Sequence, residues 1–187
     1  MRVISGRAKG FKLKTVPGEG TRPITDRVKE SLFNIIGPDI EGAAIWDLFA
    51  GTGSVGIEAL SRGASFARFT DTNNKAIGTV RENLRICRLG EVAEIRKGNV
   101  LPMLEQAPDR SFEYLYIAPP QYKDLWQEAM KRVDARPGWM VDDAWVIVQI
   151  HPVEYQPRRF VNLAEFDQRK YGSTLLVFYE AAKEITS

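Results

Sequence analysis

The 187 residues are enough for one domain, or one domain with a small appendage, and two full domains are not expected at this size. With 44% apolar and 27% charged residues the chain has the make-up of an average globular protein, and its longest apolar stretches fall short of the roughly 20 residues of a membrane helix, so long disorder and a membrane span are excluded and a cytoplasmic location is expected. The single Cys87 rules out an internal disulfide, the single His151 argues against zinc clusters and histidine-centred triads, and the net charge of +2 looks neutral until it is divided along the chain.

Residues 1–30 hold eight basic side chains against three acidic ones, a net of +5, and the rest of the chain sums to −3. A basic arm on a mildly acidic body is a possible footprint for a polyanion; an ordinary solvated hairpin is the alternative. Residues 2–5 and 11–16 alternate as short strands, split by Gly6 and Gly10 and closed by residues 17–20, which predicts a basic β-hairpin. Thr25 then has the character of an N-cap, and Val28, Leu32, Ile35 and Ile36 form an apolar stripe stopped by Gly37-Pro38, which predicts a helix of about three turns.

From residue 43 apolar runs of strand length alternate with amphipathic stretches, the pattern of a parallel sheet covered by helices. Strands are expected over 43–48, 66–70, 93–96, 112–118 and 144–150. Helices are expected over 55–62 with Gly63 as stop, 74–89 with Gly90 as stop, 101–106 and 124–133. The last forty residues break the rhythm, because 158–167 and 173–181 read as two strands joined through residues 170–172, which implies an antiparallel finish.

Asp47-Leu48-Phe49-Ala50-Gly51-Thr52-Gly53-Ser54-Val55-Gly56 ends a strand and opens a helix, the context that a nucleotide-binding glycine turn requires. Gly51 and Gly53 leave room for a ligand near the backbone, and Gly56 permits close helix–sheet packing. Two acidic residues favour S-adenosylmethionine (SAM) over a nicotinamide cofactor. Asp47, ahead of the glycines, suits an amino group, and Asp71, ending the second strand, suits ribose hydroxyls. Asn99, after the third strand, suits an adenine edge. Helix capping and turn chemistry are the competing readings of the two aspartates.

Ala118-Pro119-Pro120-Gln121-Tyr122 follows the most apolar strand. Two prolines fix the backbone and remove two N–H donors, so neighbouring carbonyls are available as acceptors beside an aromatic ring. Such a site suits a flat, amino-bearing base. Carbonyls that draw the amine hydrogens aside aim its lone pair at a methyl donor, and Tyr122 stacks on the base or, in the plainer reading, packs at a cleft edge.

These residues resemble the RsmD family of methyltransferases, which methylate the exocyclic 2-amino group of a guanine in bacterial 16S ribosomal RNA. The most specific likeness is the segment Arg22-Pro23-Ile24-Thr25-Asp26-Arg27-Val28-Lys29-Glu30-Ser31-Leu32-Phe33-Asn34, followed by residues 47–64, Gly98-Asn99, the proline pair and Lys170-Tyr171-Gly172-Ser173-Thr174. The resemblance implies an α/β, Rossmann-like class I methyltransferase sheet of seven strands with an antiparallel last strand. It also implies an N-terminal hairpin-and-helix extension (1–37) ahead of a methyltransferase core (38–187). SAM is then the cofactor, bordered by Thr25, Asp47, Phe49, Gly51, Gly53, Asp71, Thr72 and Asn99. Residues 118–122 form the acceptor site, and Arg7, Lys9, Lys12, Arg22 and Arg27 meet RNA. The partner is 16S RNA or a small-subunit assembly particle, with no metal and no membrane, and a monomer is expected.

Two departures stand out. Ala118 occupies the position where the family carries aspartate, with Gln121 inserted before Tyr122, and Asp71 stands where the family usually has glutamate. The first leaves open a SAM- and RNA-binding homologue impaired in catalysis. An amine methyltransferase acting on DNA adenine or cytosine, or on a protein glutamine, is the other alternative. Cys87 reads as a packing residue, His151-Pro152 as a turn, the four tryptophans as core or cleft wall, and Asp142-Asp143 as a surface pair.

Overall fold

A computed structural model describes residues 1–18 and 23–182, and the chain divides into two compact units, Met1–Asn99 and Val100–Ser187. The first unit carries α1 (Asp26–Ile36), β1 (Ala44–Asp47), α2 (Ser54–Ser61), β2 (Phe66–Asp71), α3 (Asn74–Cys87) and β3 (Ala93–Lys97). Its strands pair in parallel, β1 with β2 and β2 with β3. The second carries α4 (Val100–Leu104), β4 (Phe112–Ile117), α5 (Leu125–Ala135), β5 (Met140–Ile150), β6 (Leu163–Tyr171) and β7 (Thr174–Ala181). Here β4 and β5 are parallel, and β7 runs antiparallel to both β5 and β6. The seven strands follow the order β3-β2-β1-β4-β5-β7-β6 in one mixed sheet.

Local chemistry accounts for most element ends. Thr25 accepts the Val28 N–H at 3.2 Å and so caps α1, while Gly37 closes it with a φ of 68°. All four β1 residues are buried, as a strand covered on both faces requires. Helix α2 is buried along its whole length, and a Cβ at Gly56 would lie 2.4 Å from Cε1 of Phe69 on β2. The glycine there sets the distance between helix and sheet. Cys87 is buried in α3, with its thiol pushed up by desolvation, as a packing residue is.

Five expectations change. The N-terminal hairpin reduces to one antiparallel bridge, Arg2 with Lys12, because residues 2–13 spend their hydrogen bonds on α2 as well as on each other. Helix α3 ends on Arg88 in the left-handed conformation (φ 57°), two residues before the glycine expected to stop it. Strand β5 starts at Met140, four residues early, and absorbs the exposed Asp142-Asp143 pair where its register with β4 shifts, Asp143 having a φ of 64°. Strand β6 covers Leu163–Tyr171 rather than 158–167, since its pairing with β7 is set from the turn at Gly172. Helix α5 covers Leu125–Ala135 rather than 124–133, because Asp124 takes a left-handed conformation ahead of it. Among the described residues no helix is long and apolar enough to cross a membrane.

Candidate active site

In the first unit, Asp71 gathers three loops. Its Oδ2 accepts the Gly51 N–H at 2.9 Å, its Oδ1 accepts the Asn73 N–H at 2.9 Å, and its carbonyl accepts the Gly98 N–H at 2.9 Å. The Ala50 N–H adds a bond to the Thr70 carbonyl at 2.8 Å. The glycine turn, the end of β2 and the Gly98-Asn99 step are thereby tied to one residue. Turn chemistry, one of the competing readings of Asp71, is therefore part of its work, and each carboxylate oxygen keeps a second lone pair for another donor. Gly51 (φ 56°) has nothing within 4 Å of an added Cβ, and Gly53 (φ 80°) adopts the left-handed conformation that opens α2. Phe49 and Gly51 are half-buried, whereas Thr25, Thr72 and Asn99 are exposed.

Asp47 ends β1 only 2% exposed, and its Oδ1 has no hydrogen-bond partner. Burial pushes its carboxyl up to about 7, with the Asp71 charge adding to the rise and the Gly56 backbone opposing it. A buried acceptor without a donor is costly, and a cationic group beside it restores the balance. An amino-bearing cofactor fits this donor-poor position. Because the folded carboxyl titrates above its unfolded value, the native state holds the proton more tightly. Its stabilising contribution is complete below about pH 4 and is lost as the pH rises through about 7. Asp47→Asn is expected to flatten that slope and to exceed the wild type at pH 8 by on the order of 2–4 kcal/mol, read by urea unfolding at pH 4.5, 6 and 8. Parallel pH profiles for the two proteins would refute the assignment.

In the second unit, β4 delivers a half-buried Ala118 and Pro119, then an exposed Pro120, Gln121 and Tyr122. Tyr122 is 67% exposed with a φ of 64°, uncommon for a bulky residue. Its N–H donates to Glu154 Oε1 at 2.8 Å, and its ring centroid lies 6.2 Å from that of His151.

The basic arm is not a loose appendage. Val3, Ala8, Leu13 and Val16 are buried. The Glu58 carboxylate accepts the N–H groups of Ile4 (2.9 Å) and Ser5 (3.1 Å), and Ser61 Oγ accepts that of Ala8 at 2.9 Å. Asn83 exchanges hydrogen bonds with the Lys14 backbone and reaches the Thr52 carbonyl in the glycine turn at 2.9 Å. Lys29, counted above among the arm's charges, is fully buried. Its Nζ donates to the Arg2 carbonyl (2.7 Å) and Ser54 Oγ (2.9 Å) and lies 3.5 Å from Glu58. Arg2 and Lys14 pair with Asp26 and Glu82. Arg7, Lys9, Lys12 and Arg27 remain exposed without an ion pair among the described residues, and Arg22 lies outside those residues.

Lys29, Glu58, Asn83 and Glu154 are the polar residues that sequence reasoning passed over. Glu58 did leave a signal: a carboxylate inside the otherwise apolar run of α2 requires a buried partner. Among the described residues no cluster of three or more histidine, cysteine or acidic side chains is arranged to hold a metal.

Comparison with known proteins matches residues 1–180 to a family model described as "Conserved hypothetical protein 95". The chain is 38% identical over 183 residues, 96% of its length and 98% of the relative's, to YlbH of Bacillus subtilis, whose name carries a provisional rRNA methyltransferase assignment. It is 33% identical over 149 residues, 80% of this chain and 74% of the relative, to ribosomal RNA small subunit methyltransferase D of Escherichia coli K12. The structure of yhhF from Escherichia coli, described provisionally as a methyltransferase, superposes with a TM-score of 0.86 at 29% identity, covering 97% of both chains. The seven-stranded sheet with its reversed β7 is the class I methyltransferase fold, and the chain belongs to the RsmD family.

Proposed function

We propose that this protein is a SAM-dependent methyltransferase that adds one methyl group to the exocyclic 2-amino group of a guanine in 16S ribosomal RNA. The observation that carries the cofactor is Asp47, a buried carboxylate with a partnerless oxygen next to a glycine turn. The small-subunit RNA substrate is supported by the name of the Escherichia coli relative.

SAM, when bound, supplies an electrophilic methyl on a sulfonium. Asp47 holds its amino group, Gly51 and Gly53 give the backbone room, and Phe49, Thr72 and Thr25 line the approach. Asp71 and Asn99 hold ribose and adenine. Residues 118–122 take the acceptor. Carbonyls at 118–119 and the Gln121 amide oxygen accept hydrogens from the guanine amine and aim its lone pair, while Tyr122 stacks on the base. The guanine leaves its stack to arrive there. Proton loss follows methyl transfer, when the nitrogen is strongly acidic, so no dedicated base is required.

Residues 1–37 act as an RNA-holding extension of the core 38–187, working in the cytoplasm on free 16S RNA or an assembling small subunit. Primer extension or mass spectrometry on 16S RNA from a strain lacking the gene tests the proposal, and a modified guanine that persists unchanged would sink it. A second reading, a SAM- and RNA-binding homologue with little turnover, is favoured by Ala118 alone. Purified protein that binds SAM and RNA but transfers no methyl group would support it.

Two further outcomes are expected. Asp71→Ala weakens SAM binding at least about tenfold in calorimetry, since both ribose contacts and the Gly51 anchor are lost; equal affinity contradicts the assignment. Replacing Lys12 and Arg27 with alanine lowers RNA affinity and reduces the slope of log K against log salt by about 1–2. An unchanged slope removes the arm from the RNA interface.

A further inference from the structure

The acceptor loop and the loop after β5 are joined by one carboxylate. Glu154 Oε1 accepts the Tyr122 N–H at 2.8 Å, and Glu154 Oε2 accepts the His151 N–H at 2.9 Å. His151 Nδ1 in turn accepts the Val153 N–H at 3.1 Å, so the segment that presents Glu154 is itself braced. Tyr122 sits at φ 64°, a strained conformation for a non-glycine residue that persists only where its surroundings impose it. Gln121 and Lys123 beside it are exposed, and Tyr122 itself is 67% exposed, so side-chain packing does little to impose that conformation. The charge-assisted bond from its own N–H to Glu154 is the interaction that does.

We propose that Glu154 is a positioning residue for the methyl-acceptor loop. Its two oxygens pin the Tyr122 and His151 backbones, fix the left-handed bend at Tyr122, and hold the Tyr122 ring beside His151 as a surface on which the target base stacks. This rests on the reading of residues 118–122 as the acceptor site. It gives an exposed loop without secondary structure a fixed backbone at the residue whose ring is to meet the base, which placement of an extruded base demands.

The test compares wild type with Glu154→Ala and Glu154→Gln, by amide hydrogen exchange and by steady-state methylation of 16S RNA. The Tyr122 and His151 amides are expected to lose protection in Glu154→Ala. Turnover falls about 10–100-fold while KM for SAM and Tm stay unchanged. Glu154→Gln, which keeps one carbonyl acceptor, gives an intermediate loss. In a Tyr122→Gly background the Glu154→Ala change costs less than about twofold, because the ring it orients is gone.

Unchanged exchange at the Tyr122 amide overturns the proposal, as does a Glu154→Ala penalty of equal size with and without Tyr122. Lost protection in Glu154→Ala, together with a wild-type protein that transfers no methyl group, supports the clamp and removes the functional reading beneath it.

Discussion

Gly6→Ala is expected to destabilise the protein by about 3–5 kcal/mol, a large share of the 5–15 kcal/mol typical of a domain. An added Cβ at Gly6 would lie 1.8 Å from the Ser61 carbonyl oxygen and 2.3 Å from its carbon. Both atoms belong to the backbone of α2, so neither can rotate away. The arm must lift instead, breaking Arg7 N–H to Ser61 carbonyl (2.9 Å), Ala8 N–H to Ser61 Oγ (2.9 Å) and Ser61 Oγ–H to Ser5 carbonyl (2.7 Å). Three such bonds at about 0.5–1.5 kcal/mol each, plus left-handed strain of about 1–2 kcal/mol, span about 2.5–6.5 kcal/mol, and the expected loss is the middle of that range.

Gly10→Ala is the control. Gly10 has nearly the same φ, 87° against 86°, but nothing within 4 Å of an added Cβ, so only the strain applies and about 1–2 kcal/mol is lost. Urea unfolding of the pair separates the two effects. Equal losses at Gly6 and Gly10 would show that the contact with α2 contributes nothing.

The same contacts show what the sequence made legible. Patterns with a period decided the elements: the apolar stripe of α1, the buried run of β1 and the glycines of the first turn each report one local rule, and each element formed where its rule placed it. The N-terminal hairpin shrank to a single bridge because its first half divides its hydrogen bonds between its own second half and α2. Ile4 and Ser5 donate to Glu58, more than fifty residues away, and no local rule carries that information. The charge count failed in the same way. Lys29 adds to the arm's +5 on paper, yet in the fold it lies buried against Glu58, its pKa lowered by desolvation that the Glu58 and Asp26 charges only partly offset.

In the proposed acceptor loop, the Ala-Pro-Pro step was readable as a rigid strand end. Glu154, which holds the loop, was not, because its partners are backbone amides that every residue possesses. In the loops proposed to hold the cofactor, Asp71 was readable as a carboxylate in a useful place. Its bonds to Gly51 and Asn73 make it part of the scaffold as well as a candidate ligand.

Ala118→Asp is expected to raise turnover by about 30–1,000-fold, the rate equivalent of the 2–4 kcal/mol that one well-placed polar group contributes to a developing charge. Ala118 follows β4 directly, half-buried, with the two prolines restricting the chain after it, so a new side chain there enters an already fixed backbone. If residues 118–122 take the guanine amine as proposed, an aspartate accepts one of its hydrogens and offsets the positive charge that grows on nitrogen during methyl transfer. On the proposed function, alanine leaves that task to backbone carbonyls and Gln121. SAM affinity should change less than about threefold, because the interaction strengthens only in the transition state. Ala118→Asn distinguishes the two contributions, since its amide oxygen accepts a hydrogen bond without carrying charge and should recover only part of the gain. Gln121→Ala is expected to slow the native enzyme and to matter much less in the Ala118→Asp background, where the aspartate has taken over. Equal changes in turnover and SAM affinity, or a Gln121 effect of the same size in both backgrounds, would place position 118 outside the acceptor site.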